Sequence, residues 1–244
     1  MSFLPRIYAD PALYETFMTN GIGILSTENA HYLGNVLRLG EGDKVALFNE
    51  RDGEWLCNIK SLKRGKGSVI LQQQTRKPLI PHGPTLVFSP LKRDATDIAV
   101  RMATEMGVRV LQPVIMKRTN SQRIKEERLR SITIEAAEQC DRLTLPEIRP
   151  LITLDQFLES WEKDRVLLTA IERWDTRHIS VKDSQNFSGN EGILVGPEGG
   201  FDDCEIKTFL RCDFVQPLPL GMLTLRAETA IAAGLAQLLN HIQA

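Results

Sequence analysis

Residues 1–76 carry short apolar, β-rich runs separated by polar turns, and from residue 85 the pattern changes to alternating strands and helices. GIGILS (21–26), DKVALFNE (43–50), EWLCNIKSL (54–62) and SVILQQQ (68–74) are β-rich runs. Turn signals, Arg51-Asp52-Gly53 and Arg64-Gly65-Lys66-Gly67, separate the last three. Short strands at this spacing predict a small β-barrel. One helix interrupts it, capped by Ser26 or Thr27, with Ala30, Leu33 and Leu37 on one face. KPLIPHGP (77–84) carries three prolines and a glycine, which disfavour helix and mark a linker.

From residue 85 strands and helices alternate. Strands are expected at TLVFSPL (85–91), RVLQPVIM (109–116), RVLLTAIE (165–172) and GILVG (192–196), with a broken one at DFVQPLPL (213–220). Between them come a helix over 94–106 with Ile98, Met102 and Met106 on one side, and one over 125–140 carrying Leu129, Ile132, Ala136 and Cys140. A further helix lies near 153–162. Asp202 and Glu205 form a D-x-x-E capping box for another, reaching about 211. The last helix, over 226–242, turns Ile231, Leu235, Leu238 and Ile242 inward. Such alternation predicts a largely parallel sheet covered by helices. The expected organisation is 1–76 barrel, 77–84 linker and 85–244 α/β domain, with no internal repeat.

Composition adds little except in its distribution. Hydrophobic residues make up 42% of the 244 and charged residues 25%, enough apolar material for a core. No apolar run is long enough to span a membrane, and the first residues do not read as an export signal. Cys57, Cys140, Cys204 and Cys212 form no CxxC pair and the four histidines are scattered, so reduced thiols and no metal site are expected. Net charge is −1, yet residues 1–150 hold 22 Lys and Arg against 17 Asp and Glu, and residues 151–244 hold 8 against 14. A basic front is compatible with a surface that meets phosphates.

Ligands of a parallel sheet collect at the carboxyl ends of its strands. Three such ends stand out. LVGPEGG (194–200) has three glycines and a proline, which suit close backbone approach to a ligand or, equally, a tight turn with none. PLPLGMLTLRAETA (217–230) breaks its strand and sets the apolar Met222-Leu223 before Arg226 and Glu228, either as pocket and subunit contact or as a solvated ion pair at a helix start. TAIER (169–173) ends a buried strand. No G-x-G-x-x-G, P-loop or G-x-S-x-G is present.

LVGPEGG followed by LRAETA (225–230) resembles the SPOUT methyltransferases. With PRIY (5–8), HYLGNVLRLGEGD (31–43), ATEMGV (103–108) and AAEQCDRLTLPEI (136–148) in order, the chain resembles the ribosomal RNA small-subunit methyltransferase E family over nearly its whole length. It departs at Ala227, where that family often has a small polar residue, and at Asp141, where a small residue such as glycine is common. The resemblance implies a PUA-like RNA-binding barrel, a SPOUT domain with a C-terminal trefoil knot, and a cytoplasmic homodimer. It implies methylation of uridine N3 in 16S rRNA, naked or within the small subunit, with S-adenosyl-L-methionine as cofactor. Other SPOUT readings are a transfer-RNA methyltransferase and a catalytically inert RNA-binding relative.

Uracil N3 carries a proton that must leave before methylation, so the site should offer a base or a cation that stabilises the anion. Arg226 is the candidate cation and Glu228 the candidate base or anchor. Cys140, Asp141 and Arg142 are further candidates at a helix end. Thr169, Gly196, Pro197, Leu220, Gly221 and Leu225 are the expected cofactor residues. RNA contacts are expected from Arg6, Arg38, Lys92, Arg93 and Arg118, which would position phosphates without reading sequence.

Overall fold

A computed structural model describes residues 4–12, 21–63, 65–171 and 188–242; the side chains of Arg93, His241 and Ile242 also lie outside the description, as do Glu172 and Arg173 of the TAIER segment. The chain forms two compact units. One comprises residues up to Pro81 together with Ala137–Leu145; the other comprises His82–Ala136 and the chain from Pro146 onward. The boundary at 81 falls inside the proline-marked stretch. The inclusion of 137–145 with the first unit has no counterpart in a contiguous segmentation.

The first unit is a five-stranded sheet in the order β1-β3-β4-β5-β2. Its strands are β1 (Arg6–Tyr8), β2 (Ile22–Leu25), β3 (Lys44–Asn49), β4 (Gly53–Lys63) and β5 (Lys66–Arg76). The four strands expected from the sequence are present. β1 is the addition, three residues long and parallel to β3 through Arg6↔Ala46, too short to show a period of its own. The helix α1 (Thr27–His31) is capped by the Ser26 hydroxyl, which accepts from the Asn29 N–H, and continues as a π-helical turn over Tyr32–Val36. Ala30 and Leu33 join Ile7, Leu25, Val45, Leu47, Ile59 and Val69 in one core, with Leu37 packed against it.

The second unit contains a parallel sheet in the order β12-β10-β11-β6-β7-β8, with β9 also paired to β7. These are β6 (Thr85–Phe88), β7 (Val110–Ile115), β8 (Glu147–Ile148), β9 (Ile152–Thr153), β10 (Leu167–Ala170), β11 (Gly192–Val195) and β12 (Val215–Pro217). Helices α2 (Arg93–Glu105), α3 (Glu126–Gln139), α4 (Leu154–Ser160), α5 (Asp203–Phe209) and α6 (Ala227–Ile242) follow the expected order. The two-residue periodicity of a strand divides the apolar runs between two cores. Leu86, Phe88, Leu168, Ile193 and Val195 face one core with Val100, Ala103, Ile231, Leu235 and Leu238. Val87, Leu167 and Leu194 face the other with Phe157, Trp161, Phe201 and Phe209.

Helix α2 turns its small residues into the core. On α2, Ile98 is 40% exposed, while Ala99, Val100 and Ala103 are buried. The helix carries two apolar stripes, and the one with small side chains turns inward, where it allows close approach of neighbouring elements.

Candidate active site

Strand register brings the candidate loops of the second unit to one edge. Thr169 on β10 lies opposite Leu194 on β11 and Pro217 on β12. The segments that begin at Gly196 and Leu218 therefore leave the sheet on either side of Thr169, about 5 Å away per strand. β11 lies between β10 and β6 although β6 precedes both in the chain. This reversal of strand order is where a doubly wound sheet opens a crevice.

Thr169 is fully buried, and its hydroxyl oxygen has no hydrogen-bond partner among the described residues. Its carbonyl accepts from the N–H of Leu218 at 2.9 Å and of Ile171 at 3.1 Å, which ties the start of the 218–226 loop to β10. An unpaired buried hydroxyl costs about 1–3 kcal/mol, so a polar ligand group that reaches it is favoured.

The loop after β11 closes as a tight turn, one of the two arrangements its sequence allows. Gly196 has no positive φ. A Cβ there would meet the Phe201 ring at 2.9 Å, so its glycine makes room for an aromatic of its own chain. Pro197 is buried, and its carbonyl accepts from the Gly200 N–H at 2.8 Å, closing a turn in which Gly200 has φ +69°. The Asp202 carboxylate caps α5, and the Cys204 N–H it accepts is the main reason its carboxyl is held below the usual range. In the loop after β12, Leu220 and Leu225 pack against the core. Gly221 takes φ +99° with open space around it, a conformation a side chain would strain. Met222 is fully exposed and Leu223 82% exposed.

Arg226 is exposed just before α6, and Glu228 is half-buried in the first turn of that helix. No ion pair joins them among the described residues. The solvated-pair alternative is therefore absent from this arrangement.

The expected RNA residues separate. Arg6 is withdrawn from the set. Its side chain is 10% exposed, its Nε donates to Glu54, its Nη1 to the carbonyls of Ala137 and Glu138, and its Nη2 to the Arg142 carbonyl. It also stacks over the Phe48 ring at 4.2 Å. Four of its five N–H donors are engaged inside the protein, and the buried side chain is not presented to a phosphate. Arg38 is exposed, has φ +57° after the π-helical turn, and pairs with no acid among the described residues. Lys92 precedes α2 and lies 3.9 Å from Glu198. Arg93 opens α2. Arg118 donates to the Gly199 carbonyl at 3.0 Å.

Cys140, Asp141 and Arg142 belong to the first unit. Asp141 has φ +59°, in the left-handed region that follows a helix end. That conformation explains why a small residue suits the position. Burial pushes the Arg142 guanidinium down to about 10.

Contacts that the sequence did not reveal support the loops. Glu205, 6% exposed, accepts the Asp202 N–H and the Lys117 N–H, each at 2.8 Å. The first bond was legible as a capping box and the second was not. Ser89 and Thr119 share a hydroxyl–hydroxyl bond at 2.8 Å.

Comparison with known proteins defines the class. The RNA methyltransferase domain family matches residues 80–239, and the RNA methyltransferase PUA domain family matches 25–72. The chain is a SPOUT-type RNA methyltransferase with a PUA-like first unit. More narrowly, it belongs to the ribosomal RNA small-subunit methyltransferase E family. It is 34% identical to that protein from Rickettsia conorii, over 95% of this chain and 93% of the relative. It is 32% identical to the Synechocystis protein, over 88% and 71%. Among solved structures, it is similar to the Neisseria gonorrhoeae member bound to S-adenosyl methionine, with TM-score 0.84, 27% identity and 98% of both chains covered. A Legionella pneumophila methyltransferase in complex with the same cofactor has TM-score 0.84, 28% identity and the same coverage.

Proposed function

We propose that this protein methylates N3 of a uridine in 16S rRNA, with S-adenosyl-L-methionine as methyl donor. The observation that carries the reading is the register of Thr169 with Leu194 and Pro217, which brings three strand ends together at one buried hydroxyl without a partner among the described residues. The cofactor, when bound, supplies a methyl group already activated on a sulfonium. Thr169 supplies a hydroxyl to a polar edge of that cofactor. Pro197, Leu220 and Leu225 supply apolar walls, and the backbones near Gly196 and Gly221 supply room and hydrogen-bonding groups.

The chain's remaining task is the N3 proton and the charge it leaves. Glu228 is the proposed acceptor of that proton or anchor of Arg226. Arg226, without an acid partner among the described residues, holds the negative charge on the uracil oxygens. A permanently charged, forked donor suits that role. Arg38, Lys92 and Arg93 are the proposed cationic contacts to RNA, on a division in which residues 1–76 serve RNA, 77–84 join and 85–244 catalyse.

The proposal extends to a C-terminal trefoil knot, as in other SPOUT domains, to a homodimer that covers Met222 and Leu223, and to action in the cytoplasm. No described helix is long and apolar enough to cross a membrane, and no metal-ligating cluster occurs among the described residues. Nucleoside mass spectrometry of rRNA from cells with and without the gene tests the function. Loss of N3-methyluridine from small-subunit RNA is the expected result, and an unchanged content would overturn it.

A further inference from the structure

Arg118 and Glu205 attach the segment after β7 to the cofactor loop after β11. The Arg118 Nη1 donates to the Gly199 carbonyl at 3.0 Å, and its Nη2 lies 3.8 Å from the Asp202 carboxylate. The same loop touches the arginine's stem, since a Cβ on Gly199 would lie 3.3 Å from that of Arg118. One residue earlier, the Lys117 N–H donates to Glu205, whose other oxygen accepts from Asp202. One residue later, the Thr119 hydroxyl accepts the Met116 N–H and meets the Ser89 hydroxyl at the end of β6. Three consecutive residues, 117–119, are therefore tied in turn to Glu205 in the first turn of α5, to Gly199 and to Ser89 just after β6.

This arrangement gives the loop rigidity that its own sequence lacks. Residues 196–200 include three glycines, and a glycine-rich turn loses the most conformational freedom on ordering. A hydrogen bond to Gly199 and an ion pair to Asp202, both from Arg118, bear that ordering before a ligand arrives, and preorganisation of this kind raises affinity without any contact to the ligand.

We infer that Arg118 and Glu205 are positioning residues for the cofactor: they hold the 196–202 loop in its binding shape, and Arg118 acts through Gly199 rather than on RNA phosphate. The inference rests on the reading that S-adenosylmethionine occupies these loops.

Arg118 is half exposed, so Arg118→Ala should fold normally. Full-length wild type and variant are compared by calorimetry with S-adenosylmethionine alone, by binding of a 16S rRNA fragment without cofactor across a salt series, and by thermal unfolding. The expected result is a cofactor affinity lower by about tenfold, the scale of one lost hydrogen bond to a charged group. RNA affinity, its salt slope and the unfolding midpoint should stay unchanged. Arg118→Lys should recover part of the cofactor affinity through a single N–H. Glu205→Gln, which leaves one amide N–H without its acceptor, should weaken cofactor binding in the same direction.

Unchanged cofactor affinity in Arg118→Ala overturns the inference. Its accompaniment by weaker RNA binding and a salt slope smaller by about one would make Arg118 a phosphate contact. A matching fall in cofactor affinity and unfolding midpoint would make it a general structural residue, which also overturns the inference. Wild type that binds no S-adenosylmethionine would instead remove the functional reading itself.

Discussion

The ring of Phe201 occupies the space that a side chain on Gly196 would need. A Cβ at Gly196 would lie 2.9–3.1 Å from three ring carbons. The ring cannot swing away freely, because Phe201 is 8% exposed and packs edge-on against Phe209 at 5.1 Å. Gly196→Ala should therefore destabilise the protein by about 1–3 kcal/mol through overpacking, and Gly196→Val by more. Chemical denaturation checks this. An alanine variant with wild-type stability would show that the loop yields cheaply and that the glycine serves only the ligand.

Thr169→Val keeps the shape of the side chain and removes its unpaired hydroxyl. Without ligand, the variant should be as stable as wild type or more stable by about 1 kcal/mol, since an unsatisfied buried group is removed. Cofactor affinity should fall by roughly tenfold, the scale of one hydrogen bond in a closed site. Calorimetry and unfolding on the same preparation read both effects. Unchanged affinity would place the cofactor's polar groups elsewhere.

Arg226→Ala should lower the single-turnover methylation rate by about a hundredfold or more, the scale for loss of one oxyanion donor. Cofactor affinity should change much less, because Arg226 lies beyond Leu225 and is exposed. Arg226→Lys should restore little, since the fork is lost. A normal rate would remove Arg226 from the chemistry.

Glu54 is the anion of a polar centre formed with Arg6 and Arg76, at 2.8 and 2.6 Å. Burial raises its carboxyl, but hydrogen bonds from Arg76, Arg6 and Thr75 together outweigh burial and hold it below the ordinary glutamate range. A lowered folded value means its stabilisation is complete above the unfolded glutamate pKa, about 4.3, and is lost as pH falls through the lower folded value. Glu54→Gln should cost about 3 kcal/mol at neutral pH by leaving Arg6 poorly compensated. The gap to wild type should narrow below about pH 4. Denaturation at pH 7 and pH 3 measures the two; an equal gap at both would show that the pair contributes no pH-dependent stability.

Leu223→Asp should dissociate a homodimer whose interface includes Met222 and Leu223, since a stable interface of about 1,200 Å² or more does not tolerate an unpaired buried charge. Sedimentation at micromolar concentration reads the mass. A wild type found only at 27.5 kDa would contradict the dimer.

Much of the architecture was written locally. The apolar runs Val45–Phe48 and Val69–Leu71, the Ser26 cap, the Asp202–Glu205 capping box and the stripe of Ile231, Leu235 and Leu238 each depend on neighbours within a few residues. Such signals survive without tertiary context. The two strand-end loops rich in glycine and proline were legible for the same reason, as breaks in an otherwise regular pattern. β1, β8 and β9 were not, since two or three residues carry no period and their partners lie far along the chain.

What the tertiary structure alone decided is which neighbours each residue meets. The same letter, arginine, reads alike at 6, 38 and 118. Folding buries Arg6 among Glu54 and three carbonyls, leaves Arg38 in solvent, and turns Arg118 toward the Gly199 carbonyl. Gly196 likewise is glycine because of Phe201, and Thr169 is set apart by lacking the partner that burial demands. Charge, bulk and propensity belong to the residue and can be read in order along the chain. Burial, hydrogen-bond partners and steric room belong to pairs of residues, and the chain acquires them only when strands far apart in sequence come into register.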